Sequence, residues 1–151
     1  VSPDAWLVPG SRELLEGLLV RGVELFLASG TDLPYVREEA ELLGIAHCFG
    51  PRIYGALEQV EAFSKEMVIR QILESSSVRP EHLIGFGDGY VEIDNLATYG
   101  ATAIGVASDE RHRQGRIDPW KRERLISVGA HLIVADFQEH RPLIDLLFGR
   151  G

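Results

Sequence analysis

The residues Leu83-Ile84-Gly85-Phe86-Gly87-Asp88-Gly89-Tyr90-Val91-Glu92-Ile93-Asp94-Asn95 constrain this chain more than any other stretch. An apolar run climbs to a glycine, turns over an aspartate and releases into a helical pattern that carries two further acids. Buried parallel strands read as short apolar runs, and glycines mark the tight turn that follows. Asp88 is therefore expected at the carboxyl end of a strand, the edge at which open α/β sheets bind ligands. Glu92 follows one helical turn later, so both carboxylates can face one point. Paired acids there suit a hard divalent cation such as Mg2+. An aspartate helix cap followed by solvated acids explains the same residues without a ligand.

The rest of the chain supplies the rhythm of a parallel sheet. Ser11 reads as the cap of a helix with Leu14, Leu15, Leu18 and Leu19 on one face, stopped at Gly22. Val23 to Ala28 reads as a strand, Ser29-Gly30-Thr31-Asp32 as its turn, and Leu33 to Leu43 as a helix ending at Gly44. Between Ile45 and Phe63 the pattern loosens, with a short strand expected from His47-Cys48-Phe49 or Arg52-Ile53-Tyr54. Ser64 is expected to cap a helix running from Lys65 to about Glu74, with Val68, Ile69, Ile72 and Leu73 on its apolar face. After the Leu83–Phe86 strand come a helix to Tyr99 with a stop at Gly100, and a strand from Ala101 to Ala107. Asp118-Pro119 opens a further helix, His131 to Ala135 is a last strand, and Glu139 to Phe148 a last helix. Strands alternating with helices over short connections define an α/β protein with a parallel sheet.

Composition narrows the partners. The 151 residues fit one domain, and their formal net charge of −8 argues against broad nucleic-acid binding. The single cysteine, Cys48, excludes an internal disulfide and a cysteine zinc cluster, and points to a reducing, cytoplasmic setting. No apolar run reaches the roughly 18 residues of a membrane span, so no membrane partner is expected. The five histidines show no metal-ligand spacing, and His131 and His140 read as structural.

Three positions fall at comparable places in this pattern: the end of the Val23–Ala28 strand, the start of the Ser64 helix and the end of the Leu83–Phe86 strand. In a doubly wound sheet such edges converge on one crevice. Ser29 with Gly30 and Thr31, then Lys65, then Asp88 and Glu92, supply a hydroxyl, turn amides, a cation and paired carboxylates. That inventory binds phosphate beside a metal. Taken singly, Ser29 is an ordinary turn residue and Lys65 an ordinary solvated helix lysine. The Arg111, Arg113 and Arg116 cluster follows the Ala101–Ala107 strand. It reads as a solvated loop or as a rim that meets an anionic substrate, and Tyr90 reads as a pocket-lining residue.

In this order the residues resemble the haloacid dehalogenase superfamily, chiefly its phosphoglycolate-phosphatase and β-phosphoglucomutase branch. Leu25-Phe26-Leu27-Ala28-Ser29-Gly30 is similar to the family's second motif, although Gly30 replaces the usual asparagine. Lys65 matches the lysine of the third, without the prolines that often surround it, and Gly87-Asp88-Gly89-Tyr90-Val91-Glu92 matches the fourth. The resemblance runs from Pro9 to about Leu147. It implies a Rossmann-like three-layer α/β/α core and an Mg2+-dependent phosphohydrolase acting on a small phosphorylated metabolite. It also implies roles: Ser29 and the Gly30 amide hold the phosphoryl group, Lys65 neutralises charge, Asp88 binds Mg2+, and Glu92 supports that metal. Phosphoryl transfer does rest on positioned positive charge more than on covalent chemistry of the protein.

The family's nucleophile motif, DxDx[TV] on a central first strand, has no counterpart here; Asp4 in Ser2-Pro3-Asp4-Ala5-Trp6 lacks both the strand and the second aspartate. The expectation is a core without that strand and without the cap, both lying upstream of Val1, and a chain inactive by itself. The gap between the Val23–Ala28 and Leu83–Phe86 strands would then be filled by the absent segment or by a second chain, or closed by a changed strand order. Competing readings are a non-catalytic module that keeps the phosphate and metal pocket, and a dinucleotide-binding domain drawn from Gly85-Phe86-Gly87-Asp88-Gly89. The latter fails the G-x-G-x-x-G spacing and sets Asp88 against a pyrophosphate.

Overall fold

The computed structural model describes residues 3–56, 65–75, 78–109 and 115–149. It is an α/β structure, and among the described residues the three pairings between named strands are parallel. By contacts the chain forms two compact units, one of Val1–Phe63 with Phe137–Gly151 and one of Ser64–Asp136.

In the first unit α1 (Ser11–Val20) leads to β1 (Leu27–Asp32), α2 (Leu33–Leu42), the short α3 (Ala46–Phe49) and β2 (Ile53–Ala56); α7 (His140–Phe148) returns to it. Helices α1 and α7 pack closely, because Gly17 leaves room for Ile144: a Cβ at Gly17 would lie 2.8 Å from Ile144 Cδ1. Two expectations are corrected here. Ser11 does not cap α1. Gly10 holds that position with φ +85°, and the Ser11 hydroxyl donates to Val8 O at 2.6 Å. The strand expected over Val23–Ala28 is instead Leu27–Asp32, and it takes in the whole expected turn.

The reason lies in how the Val23 amide is used. Gly22, at φ +77°, lets the Gly22 amide donate to Leu19 O and the Val23 amide to Leu18 O, closing α1 in a Schellman motif. The same pair of bonds closes the helices before Gly44, Gly100 and Gly129. The β1 ladder begins only where β2 starts: Leu27 N donates to Arg52 O, and Leu27 and Ala28 pair with Ile53 and Tyr54. Pairing then breaks register and resumes at Asp32 with Ala56, so Ser29–Thr31 form an irregularity in the strand. Of the two short-strand candidates, Ile53-Tyr54 lies in β2, whereas His47-Cys48-Phe49 is a helical turn.

The second unit holds α4 (Lys65–Ser75), β3 (Ile84–Gly87), α5 (Tyr90–Thr98), β4 (Thr102–Val106), α6 (Pro119–Ser127) and β5 (Leu132–Val134), with sheet order β3-β4-β5. Ser64 and the residues Arg111 and Arg113 lie outside the described residues. Side chains alternate across a strand, so Gly85, Gly87, Ala103, Gly105 and Ile133 share one face through the observed register. That face is nearly bare of side chains at its β3 end, and two helices press onto it. A Cβ at Gly85 would collide with Leu96 of α5, and one at Gly105 would lie 2.9 Å from Leu125 Cδ1 of α6. Ile93, Leu96, Ala103 and Leu125 form the resulting core with Ile69 of α4. The apolar face of α4 is as expected, with Val68, Ile69 and Ile72 buried. Among the described residues the strands form two sheets, β1-β2 in the first unit and β3-β4-β5 in the second.

Candidate functional site

Asp88 stands just past the carboxyl end of β3, and its side chain is exposed. It is not a helix cap: Gly89 occupies the N-cap of α5, and no side chain caps that helix. Among the described residues its carboxylate has no hydrogen bond or ion pair. Glu92, in the first turn of α5, folds back over the turn. Its Oε2 lies 2.6 Å from where a Cβ of Gly87 would stand, and its Oε1 lies 3.0 Å from the same position at Gly89. The two glycines thus make room for a carboxylate, and both acids belong to one turn, as the spacing predicts. Among the described residues no three His, Cys, Asp or Glu side chains gather as a metal cluster. Two carboxylates remain a fitting donor set for Mg2+, which keeps several waters and uses only one or two protein carboxylates.

The α6 helix brings cations to the same edge of the three-stranded sheet. Asp118 Oδ1 accepts from the amides of Trp120 (3.0 Å) and Lys121 (3.2 Å), the cap expected from Asp118-Pro119. The Asp118 amide donates to Ala107 O at 2.8 Å, and Lys121 Nζ donates to Ser108 O at 3.1 Å, tying the start of α6 to the end of β4. One turn on, the Arg124 guanidinium carbon lies 4.4 Å from the Tyr90 ring centroid and 4.5 Å from that of Trp120. Tyr90 is the first residue of α5, two positions after Asp88. Neither Trp120, Lys121 nor Arg124 stood out in the sequence. Their spacing places them along one side of a helix, but only the tertiary contact with Tyr90 links them to the Asp88 turn.

The remaining candidates divide between the units. Lys65 is the first residue of α4, in the unit that carries Asp88 and Glu92; its side chain lies outside what the structure describes. Ser29 and Gly30 lie in the irregular part of β1, in the other unit. The Ser29 hydroxyl accepts from the Thr31 amide at 3.2 Å, a local turn bond that leaves its own proton to donate. Gly30 is open, with no atom within 4 Å of a Cβ placed there. Arg116 is exposed. His131 is structural as expected: its Nδ1 accepts from the Ala103 amide at 2.9 Å while its own amide donates to Ala103 O. A second network joins α4 to α5: the Tyr99 hydroxyl donates to Glu66 Oε1 at 3.0 Å, and Arg70 donates to both. These bonds raise the Arg70 pKa above its ordinary value, Tyr99 contributing most.

No protein-family model matches the sequence. The chain is 32% identical over 97 residues to a 5'-nucleotidase of Pseudomonas aeruginosa, a match covering 64% of this chain and 43% of that protein. Among solved structures it is similar to a haloacid dehalogenase-like family hydrolase from Streptococcus pneumoniae, with TM-score 0.67 and 24% identity over 94% of this chain and 59% of that one. A HAD family hydrolase from Deinococcus radiodurans with bound phosphate and sodium gives TM-score 0.68 and 17% identity, over 92% and 59% of the two chains. A β-phosphoglucomutase from Clostridium difficile gives 0.63 and 16%, over 87% and 51%. These likenesses show the fold, an α/β core shared with the haloacid dehalogenase-like structures named here. The chain spans less than two thirds of the length of each protein named here. No helix among the described residues is long and apolar enough to cross a membrane.

Proposed function

We propose that this chain is the larger part of the core of an Mg2+-dependent phosphomonoester hydrolase. The observation that carries the reading is the turn Gly87-Asp88-Gly89, where an exposed carboxylate ends a parallel strand and a second carboxylate, from Glu92, lies over the glycines. In this reading Asp88 and Glu92 hold Mg2+, which when bound neutralises charge on the phosphoryl oxygens. Ser29 donates its hydroxyl proton to a phosphoryl oxygen and the Gly30 amide to another, and Lys65 supplies a fixed cation for the charge shared with the nucleophile. These groups bind and orient; positioned charge of this kind is what phosphoryl transfer asks of a protein. The substrate is a small phosphorylated metabolite, and the likeness to a 5'-nucleotidase brings nucleoside monophosphates into that class.

The nucleophile is the part this sequence does not supply, so the isolated chain is expected to be inactive. A strand bearing the DxDx[TV] motif would have to be brought by an N-terminal segment that also carries the cap, or by a second chain. The absence of that motif and of a three-ligand metal cluster among the described residues favours a second reading, a non-catalytic module that binds phosphate and metal. Hydrolysis of p-nitrophenyl phosphate separates the two. A longer polypeptide in which a DxDx[TV] strand precedes this chain should turn over with Mg2+, and lose turnover on chelation or in Asp88→Asn. No turnover with any phosphomonoester, with metal binding intact, would leave the module.

A further inference from the structure

Lys65 is an awkward residue with which to begin a helix. The N-terminus of a helix carries positive potential, and a cation placed there opposes it. Lys65 is nevertheless the first residue of α4. The first turn also has amides without partners inside the helix, so helix ends fray. Within that turn the local balance is met by Glu66, its acid. Departures from local preference of this kind concentrate at functional sites.

The turn is held from outside its own helix. Tyr99, at the C-cap of α5, donates its hydroxyl proton to Glu66 Oε1 at 3.0 Å. Arg70, one turn further along α4, donates through Nη2 to the same oxygen and through Nε to the Tyr99 hydroxyl, each at 3.2 Å. Beneath these bonds Ile69 of α4 packs with Ile93 and Leu96 of α5, and apolar burial by itself is non-directional. The hydrogen bonds supply the direction. They add little stability, because the Glu66 and Arg70 side chains are 42% and 54% exposed and exposed pairs are weak. What they fix is the place of the first turn of α4 against α5, the helix that follows Asp88 and carries Glu92.

We infer that Tyr99, through Glu66 and Arg70, positions Lys65 for the phosphoryl group. The inference rests on the phosphohydrolase reading, in which Lys65 is the cation that meets the phosphoryl charge. To that reading it adds residues that touch no substrate. Tyr99 is a positioning residue, acting through the start of α4. Such support matters because a binding group left loose by about 1 Å loses much of its effect.

The test titrates the 151-residue chain with inorganic phosphate by calorimetry, with Mg2+ present, in Lys65→Ala and Tyr99→Phe singly and together. Lys65→Ala should weaken binding. Tyr99→Phe, which removes only the hydroxyl, should weaken it by about three- to tenfold, the range of one hydrogen bond. In the Lys65→Ala background Tyr99→Phe should have no further effect, because the lysine it positions is gone. Glu66→Ala should weaken binding more than Glu66→Gln, since both remove the charge but glutamine keeps an acceptor for Tyr99. Full affinity in Tyr99→Phe, an equal loss with and without Lys65, or equal effects of the two Glu66 variants overturns the positioning role. Provided Lys65→Ala itself weakens binding, each of those results leaves the phosphohydrolase reading standing. Absence of phosphate binding, or binding that Lys65→Ala leaves unchanged, overturns both.

Discussion

The Glu92 carboxylate lies against the backbone of Gly87, with its Oε2 2.6 Å from the place a Cβ would take. The contact ties the first turn of α5 to the last residue of β3 and holds an acid beside Asp88. It also explains why the turn is built from glycines although neither Gly87 nor Gly89 has a positive φ. Space for a carboxylate, not backbone conformation, is what these two positions provide.

Gly87→Ala should therefore displace Glu92 and cost about 1–3 kcal/mol, the usual range for overpacking a tight site. Gly89→Ala, with a clearance of 3.0 Å from the same carboxylate, should cost less. Denaturant unfolding of both variants measures the difference. Replacing Glu92 by Ala in the Gly87→Ala background should recover most of the loss, because the obstructing group is gone.

Gly30 gives the opposite expectation. Nothing lies within 4 Å of a Cβ there, and its φ is not in the left-handed region. Gly30→Asn, which restores the residue usual in the related motif, should change stability by no more than about 0.5 kcal/mol, as for an unobstructed surface site. A thermal melt checks this directly. A large loss would mean that the irregular part of β1 is more constrained than its open surroundings indicate.

Leu125 is 1% exposed and packs over Gly105, where α6 meets the sheet. Leu125→Ala should destabilise the protein by about 2–5 kcal/mol through lost burial and the cavity left behind. Because α6 also carries Trp120 and Arg124, the same substitution should disturb the Tyr90–Arg124–Trp120 stack. A changed tryptophan emission spectrum in a Trp6→Phe background, recorded well below the unfolding transition, would report it.

Cys48 is 2% exposed, and burial pushes its thiol above the ordinary range, with Glu16 adding to the shift and Arg12 opposing it. The folded state thus holds the thiol proton more tightly than the unfolded state does. Its contribution to stability is fully present below the unfolded thiol's value, about 8.5, and is lost as pH rises through the folded value. Unfolding free energy should fall above that point, and Cys48→Ala should flatten the fall. In native buffer a disulfide reagent should label Cys48 slowly, and in urea at once.

Much of this fold was legible because helices and turns are local. The apolar face of α4, the Asp118 cap and the glycine stops at Gly22, Gly44, Gly100 and Gly129 each depend on a few neighbouring residues. The errors fell where a distant partner decides. Val23 has strand composition, but its amide closes α1, and pairing for β1 is available only from Leu27 onward, where β2 begins. Ser29 and Gly30, read as a turn, are an irregular strand segment for the same reason. At the site, the Asp88–Glu92 turn was readable from spacing, since both acids belong to one strand–helix junction. The Arg124 stack was not, because Tyr90 and Arg124 are far apart in sequence and meet only through the packing of α5 and α6 on a face of small residues.

Whether the Gly87–Glu92 turn binds metal is tested by Mn2+ titration of the isotopically labelled chain, Mn2+ standing in for Mg2+ as a paramagnetic probe. The amide resonances of Gly87, Asp88, Gly89 and Glu92 should broaden at the lowest Mn2+ concentrations, an excess of Mg2+ should restore them, and Asp88→Asn should abolish the effect. Broadening that starts at other acidic residues and spares this turn, or that persists unchanged in Asp88→Asn, would contradict the account.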